Sequence, residues 1–382
     1  MPAPRSLYIH VPFCLHRCAY CNFYSEILRP GKAGPLVGAI LMELDRVPRE
    51  FRPGTVYIGG GTPTALPGEL LAQLLAAIPE RFDMTDLAEW TVEATPATLS
   101  AETAGILRRA GVGRLAMGVE SFDDKFLKSL GRPEKADQIP RAIAVAREAG
   151  FANLGLDLIF AIPGQSPDDW RRDLERAIAF APEHLSIYGL TYEEGTALSR
   201  RAADGKTLPV EEEVEVALFR TAADTLEAAG YEHYEISNYA RSGFRCRHNE
   251  IYWRNESHYA LGPSAVSFTD GERRRNIADT TEYVARISRG EDPTDFRERL
   301  SPEKFARETL ALLMRTAAGV DLAAFRARFG LDAETLFGAA LGDYLARGIL
   351  ARSPDNAIIS PGRLALTRDG RLHADTVAVE VV

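Results

Sequence analysis

Cys14, Cys18 and Cys21 fall within one short stretch, Cys-Leu-His-Arg-Cys-Ala-Tyr-Cys. Three thiols within eight residues are close enough for one short segment to wrap them around a common centre. Clustered thiolates select a soft centre, either zinc or an iron–sulfur cluster. Zinc would take a fourth ligand, and His10 and His16 are close in sequence. An iron–sulfur cube usually takes four cysteines, so three would leave one iron open to another ligand. The remaining cysteine, Cys246, is remote and reads as a small buried hydrophobe. Four cysteines in 382 residues are too few for a disulfide scaffold.

The elements around this loop alternate. Short apolar runs predict strands at 7–11, 55–58, 90–94, 114–119, 154–159 and 185–190. Amphipathic segments between them predict helices at 35–49, 67–78, 100–110, 136–149, 167–179 and 210–229. Gly111, Gly150 and Gly230 stand where helix C-termini want a left-handed residue. Such alternation means parallel βαβ units, closed as a barrel or open as a doubly wound sheet. Six units with the thiol loop after the first strand suit an α/β fold of partial (β/α)6 TIM-like type, whose functional loops follow the strands' C-terminal ends. Residues 231–253 are aromatic, polar and aperiodic. A strand with a Gly-Pro turn follows over 260–268, then a helix near 280–288. Helices at 302–315, 322–329 and 333–347, then short strands near 349–351 and 358–360, predict a small α+β winged-helix-like module. The expected division is a barrel over 1–230, an extension over 231–300 and a C-terminal domain over 301–382.

Hydrophobic residues at 46% and charged residues at 26% exclude a disordered or low-complexity chain. A net charge of −9 argues against bulk binding to nucleic acid. No apolar stretch reaches the ~18 residues that span a bilayer, and the N-terminus has no signal core, so a cytoplasmic protein is expected.

The CxxxCxxC loop, with an aromatic before its last cysteine and a strand before its first, resembles the radical S-adenosylmethionine superfamily. Leu7-Tyr8-Ile9-His10-Val11-Pro12-Phe13 narrows this to the branch of oxygen-independent coproporphyrinogen III oxidases and heme chaperones. The similarity continues through Gly59-Gly60-Gly61-Thr62-Pro63-Thr64, Gly118-Val119-Glu120-Ser121-Phe122, Gly131-Arg132 and Asp157-Leu158-Ile159, and it reaches the C-terminal module. The resemblance implies a 4Fe-4S cluster on Cys14, Cys18 and Cys21. S-adenosylmethionine would then be chelated by the open iron, its cleavage giving a 5′-deoxyadenosyl radical. It implies that Tyr8, Tyr20, Gly60, Gly61, Thr62, Glu93, Glu120, Arg132 and Asp157 hold the nucleotide. Glu120 departs from the usual Gln of the family and cannot donate a hydrogen bond unless protonated.

Two features separate the branch's members. The oxidase resembles CxxxCxxCxC, whereas residue 23 here is Phe23. It also carries an N-terminal extension, and here seven residues precede Tyr8. Conversely, His248-Asn249-Glu250-Ile251-Tyr252-Trp253 matches the HNxxYW motif that marks heme binding in the chaperones. A neutral imidazole is a good axial ligand, Tyr252 and Trp253 offer flat faces, and Arg245, Arg247 and Arg254 suit carboxylates. The implied function is heme binding and transfer, with His248 as ligand or essential contact. The implied partners are heme and heme-accepting proteins. A membrane-associated acceptor and a homodimer are compatible with it. Oxidation of coproporphyrinogen III is the alternative.

Overall fold

A computed structural model describes residues 3–352 and 362–382. Six parallel strands form its centre: β1 (Ser6–Val11), β2 (Thr55–Gly60), β3 (Glu89–Ala94), β4 (Arg114–Glu120), β5 (Asn153–Phe160) and β6 (His184–Gly189). They pair in sequence order, β1-β2-β3-β4-β5-β6, which makes a partial barrel rather than a doubly wound sheet. The period of two sorts each strand's side chains between two faces. In β1, Leu7, Ile9 and Val11 are fully buried in the main apolar core, while Ser6, Tyr8 and His10 take the other face. Helices α1 (Ala33–Leu44), α2 (Gly68–Arg81), α3 (Ala101–Ala110), α4 (Gln138–Glu148), α5 (Pro167–Ala179) and α6 (Glu212–Ala228) cross between or follow the strands. Helix α5 starts where expected because Ser166 and Asp169 close a reciprocal capping box before Pro167.

The sheet is longer than the six expected strands. The single strand expected over 260–268 is two. β7 (Tyr259–Leu261) adds to β1 in parallel, while Val266–Thr269 joins a separate three-stranded sheet with Glu272–Asn276 and Thr294–Arg299. Gly262 separates them at φ +99°, pressed against the carbonyl of His10 where no β-carbon fits. At the other edge, Asn238–Ala240 pairs antiparallel with β6, and Glu232–His233 pairs with it in turn.

A second correction concerns 231–253. Its end is a helix, α7 (Arg247–Trp253), not aperiodic chain. The Glu89 carboxylate at the start of β3 accepts the backbone N–H groups of Arg247 and His248, each at 3.1 Å. The cap is therefore supplied by a distant strand, where no local pattern reports it.

The C-terminal module has its own apolar core, with Leu310, Met314, Phe325, Leu364 and Val377. Its helices include α8 (Pro302–Met314) and α9 (Leu322–Phe329). The helix expected over 333–347 breaks into Ala333–Phe337 and Ala340–Ala346 at Gly338, whose φ is +58°. Leu350–Arg352 pairs antiparallel with Arg363–Leu366, and the strand expected at 358–360 lies outside the described residues. A final helix, Ala374–Val381, was not expected and packs on α8.

Backbone bonds stitch the module to the barrel's outer edge. Ala317 N–H donates to the Tyr234 carbonyl at 2.9 Å, Ile236 N–H donates to the Arg315 carbonyl at 3.2 Å, and Glu235 bridges Thr316. No described helix is long and apolar enough to cross a membrane.

Candidate functional site

The thiol loop is pinned at its base. Phe13–Cys14 pairs in parallel with Glu26–Ile27, and further along Ala19 N–H donates to the Leu130 carbonyl at 2.9 Å. All three thiols line one cavity of about 430 Å3 inside the barrel. The same cavity is lined by Gly60, Gly61 and Thr62 from the end of β2, Glu93 from β3, Glu120 from β4, Asp157 from β5, and Tyr20 and Arg132 from loops. Of the residues assigned from sequence, Tyr8 and His248 do not line it.

The glycines are required by space. Gly60 has φ +107°, and a β-carbon there would lie 2.5 Å from the His10 ring. One on Gly61 would lie 2.6 Å from the Pro12 carbonyl. Without side chains, the loop lies close enough for Gly61 and Thr62 N–H to donate to the Val11 and Phe13 carbonyls, each at 2.8 Å. Gly60 N–H donates to Glu93 at 3.1 Å and the Tyr57 hydroxyl donates to it at 2.8 Å. Burial nevertheless raises Glu93 to about 7, against those bonds.

Glu120 sits at a break in the β4–β5 register with φ +64°, a strained conformation for a side-chain-bearing residue. Its carboxylate is 3.7 Å from Arg132, which is 3.5 Å from Glu134 and 3.7 Å from the Cys18 sulfur. Burial raises Glu120 to about 7, with Arg132 opposing. Burial also raises Asp157, with Ser186 opposing. Three buried carboxylates thus face a cavity whose lining cations are Arg132 and Arg114, with His16 at its edge. Such a surplus of acceptors suits a ligand that carries positive charge and hydroxyl groups, as S-adenosylmethionine does.

The thiols pass a parallel test. Burial raises Cys18 to about 11, with Arg132 opposing, and raises Cys14 and Cys21 as well. A soft metal centre is the group that deprotonates such thiols. Among the described residues no three His, Cys, Asp or Glu side chains converge as ligands of one ion. Thiolates on separate irons of a cube stand farther apart than that. His10 is turned away from the thiols: its Nε2 donates to the Tyr24 carbonyl at 2.9 Å and its Nδ1 meets the Tyr8 hydroxyl at 3.2 Å.

Sequence reasoning missed several lining residues, among them Tyr57, Arg114 and Tyr188. Arg114 opens β4 and is only 3% exposed; a lone arginine leading an apolar strand was the available signal. Asn249, singled out in sequence only as part of HNxxYW, enters the cavity's wall from α7.

His248 lies elsewhere, 1% exposed, packed on Tyr57 and Tyr8 at ring distances of 5.1 and 6.3 Å. Its Nδ1 is 3.1 Å from the Ser6 hydroxyl and 2.9 Å from that of Thr55, and its Nε2 is 2.9 Å from the Tyr252 hydroxyl. Burial lowers it to about 3, so it is neutral, with both nitrogens engaged. His248, expected as an axial ligand or an essential contact for heme, has its ring nitrogens engaged by protein hydroxyls here. Tyr8 lines a second cavity with His10, Phe23, Tyr24, Tyr252 and His258, of about 400 Å3. Phe23 lines both cavities.

Residues 8–177 match the model of the radical SAM superfamily, and residues 300–373 match that of the HemN C-terminal domain. The chain is 33% identical to the heme chaperone HemW of Bacillus subtilis over 98% of both chains. It belongs to the HemW family. The HemW of Escherichia coli is 38% identical over 70% of this chain and 72% of its own. The mitochondrial radical S-adenosyl methionine domain-containing protein 1 of Danio rerio is 30% identical, over 82% of this chain and 73% of its own. The fold of this HemW-family chain is that of coproporphyrinogen III oxidase (HemN) from E. coli, with a TM-score of 0.85 at 21% identity, over 99% of this chain and 90% of that one.

The buried carboxylates set a pH dependence for the ligand-free protein. Glu93 and Glu120 stand at about 7 in the fold, against about 4.3 unfolded. Their neutral forms are the ones the fold favours. The stability this brings is complete below about pH 4.3 and is lost as pH rises through about 7. Denaturant midpoints of cluster-free protein should fall across that window, and Glu93→Gln should flatten the fall. An unchanged slope in the variant would contradict the assignment.

Proposed function

We propose that this chain is a heme chaperone: it binds heme and passes it to heme-accepting proteins. The barrel holds a 4Fe-4S cluster on Cys14, Cys18 and Cys21 with S-adenosylmethionine beside it. The observation that carries this reading is the near-full-length similarity to the B. subtilis heme chaperone HemW. The shared cavity of thiols and buried carboxylates supports the cofactor part. In this reading residues 1–230 are the cofactor barrel, 231–300 the extension bearing HNxxYW, and 301–382 the C-terminal domain. The setting is the cytoplasm, and the partner set extends to a membrane-associated acceptor and a second copy of the chain.

When bound, the cluster and S-adenosylmethionine supply one-electron and radical chemistry. The chain's own residues position and shield. Gly60, Gly61 and Thr62 expose backbone polar groups to an ammonium. Glu93 and Asp157 accept from hydroxyls. Glu120, bonded to Tyr20, offers an acceptor that Arg132 holds in place. Arg132 also sets positive charge beside the Cys18 sulfur.

The competing reading is a coproporphyrinogen III oxidase. Phe23 stands where that enzyme's motif carries a further cysteine. Protein reconstituted anaerobically with iron and sulfide should bind one heme per chain, release it to an apo-hemoprotein, and leave coproporphyrinogen III unchanged in the presence of reductant and S-adenosylmethionine. Turnover to protoporphyrinogen would restore the oxidase, and failure to bind heme would remove the chaperone.

A further inference from the structure

We propose that His258 supplies the axial nitrogen to heme iron, from the second cavity, and that His248 acts only by positioning Tyr252. This rests on the heme-chaperone reading and assigns its cargo a place and a ligand.

The second cavity opens beside the free face of β1, where Tyr8 and His10 project, and is closed on one side by the thiol loop. Its volume of about 400 Å3 falls in the roughly 300–1,000 Å3 range of small-molecule sites. Its wall is flat and aromatic, with Tyr8, Tyr24 and Tyr252, and at its rim Phe23 is 65% exposed. An aromatic ring of that size left in water beside such a wall is a surface for a planar apolar ligand.

His258 has an unresolved hydrogen-bonding problem. Its Nδ1 is 3.1 Å from the Glu256 carbonyl and its Nε2 is 3.1 Å from the Val266 carbonyl. Both partners are acceptors, and a neutral imidazole has one N–H. Burial lowers the His258 pKa, so the neutral ring is the favoured form. One lone pair must therefore face a carbonyl lone pair. If Nδ1–H donates to Glu256, Nε2 is the misplaced atom, and it lies on the more exposed side of the ring at Val266, itself part of the cavity wall. A backbone carbonyl on one ring nitrogen and a free lone pair on the other is the arrangement by which proteins present histidine to metals. A small swing away from Val266 gives Nε2 to an iron in the cavity. The lone pair forms the Fe–N bond, and no proton or electron need leave the ring.

The HNxxYW segment connects to this site through Tyr252. His248 fixes the Tyr252 hydroxyl at 2.9 Å, and the Tyr252 ring meets His258 edge to face, with centroids 4.9 Å apart at 82°. Loss of His248 would loosen this wall without altering the iron's donor atom.

The test is anaerobic titration of the full chain with hemin and with dithionite-reduced heme, read by the Soret band and by electron paramagnetic resonance. His258→Gln keeps a donor for a carbonyl but has no imidazole lone pair. It should lose the histidine-ligated signature and bind about tenfold or more weakly. His258→Gly should regain the signature on adding imidazole. His248→Ala should bind more weakly with the wild-type signature. Circular dichroism confirms the fold of each variant. If wild type binds heme and His258→Gln keeps its spectrum and affinity, or if His248→Ala alone loses the histidine signature, the ligand assignment is wrong while the chaperone reading stands. If wild type binds no heme, both fall.

Discussion

Cys18→Ala protein, treated anaerobically with iron and sulfide, should show no visible iron–sulfur absorption, and its acid-labile sulfide should stay at background. Each thiolate holds a different iron of the cube, and the motif supplies only three. No spare thiol can take over. Cys246 is fully buried beside the first residue of β3, with its sulfur 3.6 Å from the Glu89 carboxylate. His16 lines the cavity but stands 3.5 Å from Glu134, and its imidazole is a harder donor than sulfur. The same loss is expected for Cys14→Ala and Cys21→Ala, whereas Cys246→Ser should reconstitute normally. Full iron and sulfide content in any of the three loop variants would remove the cluster from this loop.

Arg132→Met should destabilise the ligand-free protein by about 3–5 kcal/mol, the usual cost of leaving buried charges without their partner. Arg132 sits between Glu120 at 3.7 Å and Glu134 at 3.5 Å, with side-chain exposures of 6%, 10% and 2% respectively. Methionine fills much of the volume but leaves both carboxylates without a cation. Glu120 can retreat to its neutral form more readily than usual, because burial already holds it near 7. The loss should therefore be largest above neutral pH. Adding Glu120→Gln to Arg132→Met should recover a measurable part of it. Urea unfolding of the two variants checks both statements, and equal stabilities for Arg132→Met and wild type would show that the triad is solvated.

The barrel was readable because its signals are local. Strands such as 114–119 and 154–159 are short, mostly apolar runs that follow helical segments ending at Gly111 and Gly150, and the structure extends them by a residue or two, to Arg114–Glu120 and Asn153–Phe160. Helix α5 announces itself through Ser166, Pro167 and Asp169. What was unreadable depends on partners distant in the chain. Helix α7 is capped by Glu89, and His248 takes its hydrogen bonds from Ser6 and Thr55, at sequence separations of 242 and 193. A histidine between aromatics looks the same in sequence whether its nitrogens are free or engaged. Tyr8 illustrates the reverse limit. Its strand was legible, yet which of two neighbouring cavities it lines was set by the thiol loop and by Tyr252 folding against it.

The backbone bonds between residues 234–236 and 315–317 bear on how the molecule can be divided. An expression fragment ending near residue 300 would leave the Tyr234 carbonyl and the Ile236 N–H without the partners that Ala317 and Arg315 now supply. Those groups flank the outermost strands of the nine-stranded sheet, where unpaired backbone recruits a neighbour's strand. The C-terminal module is in this sense a bolt across the sheet's open side. A barrel expressed without it should self-associate, however well its cofactor cavity is formed.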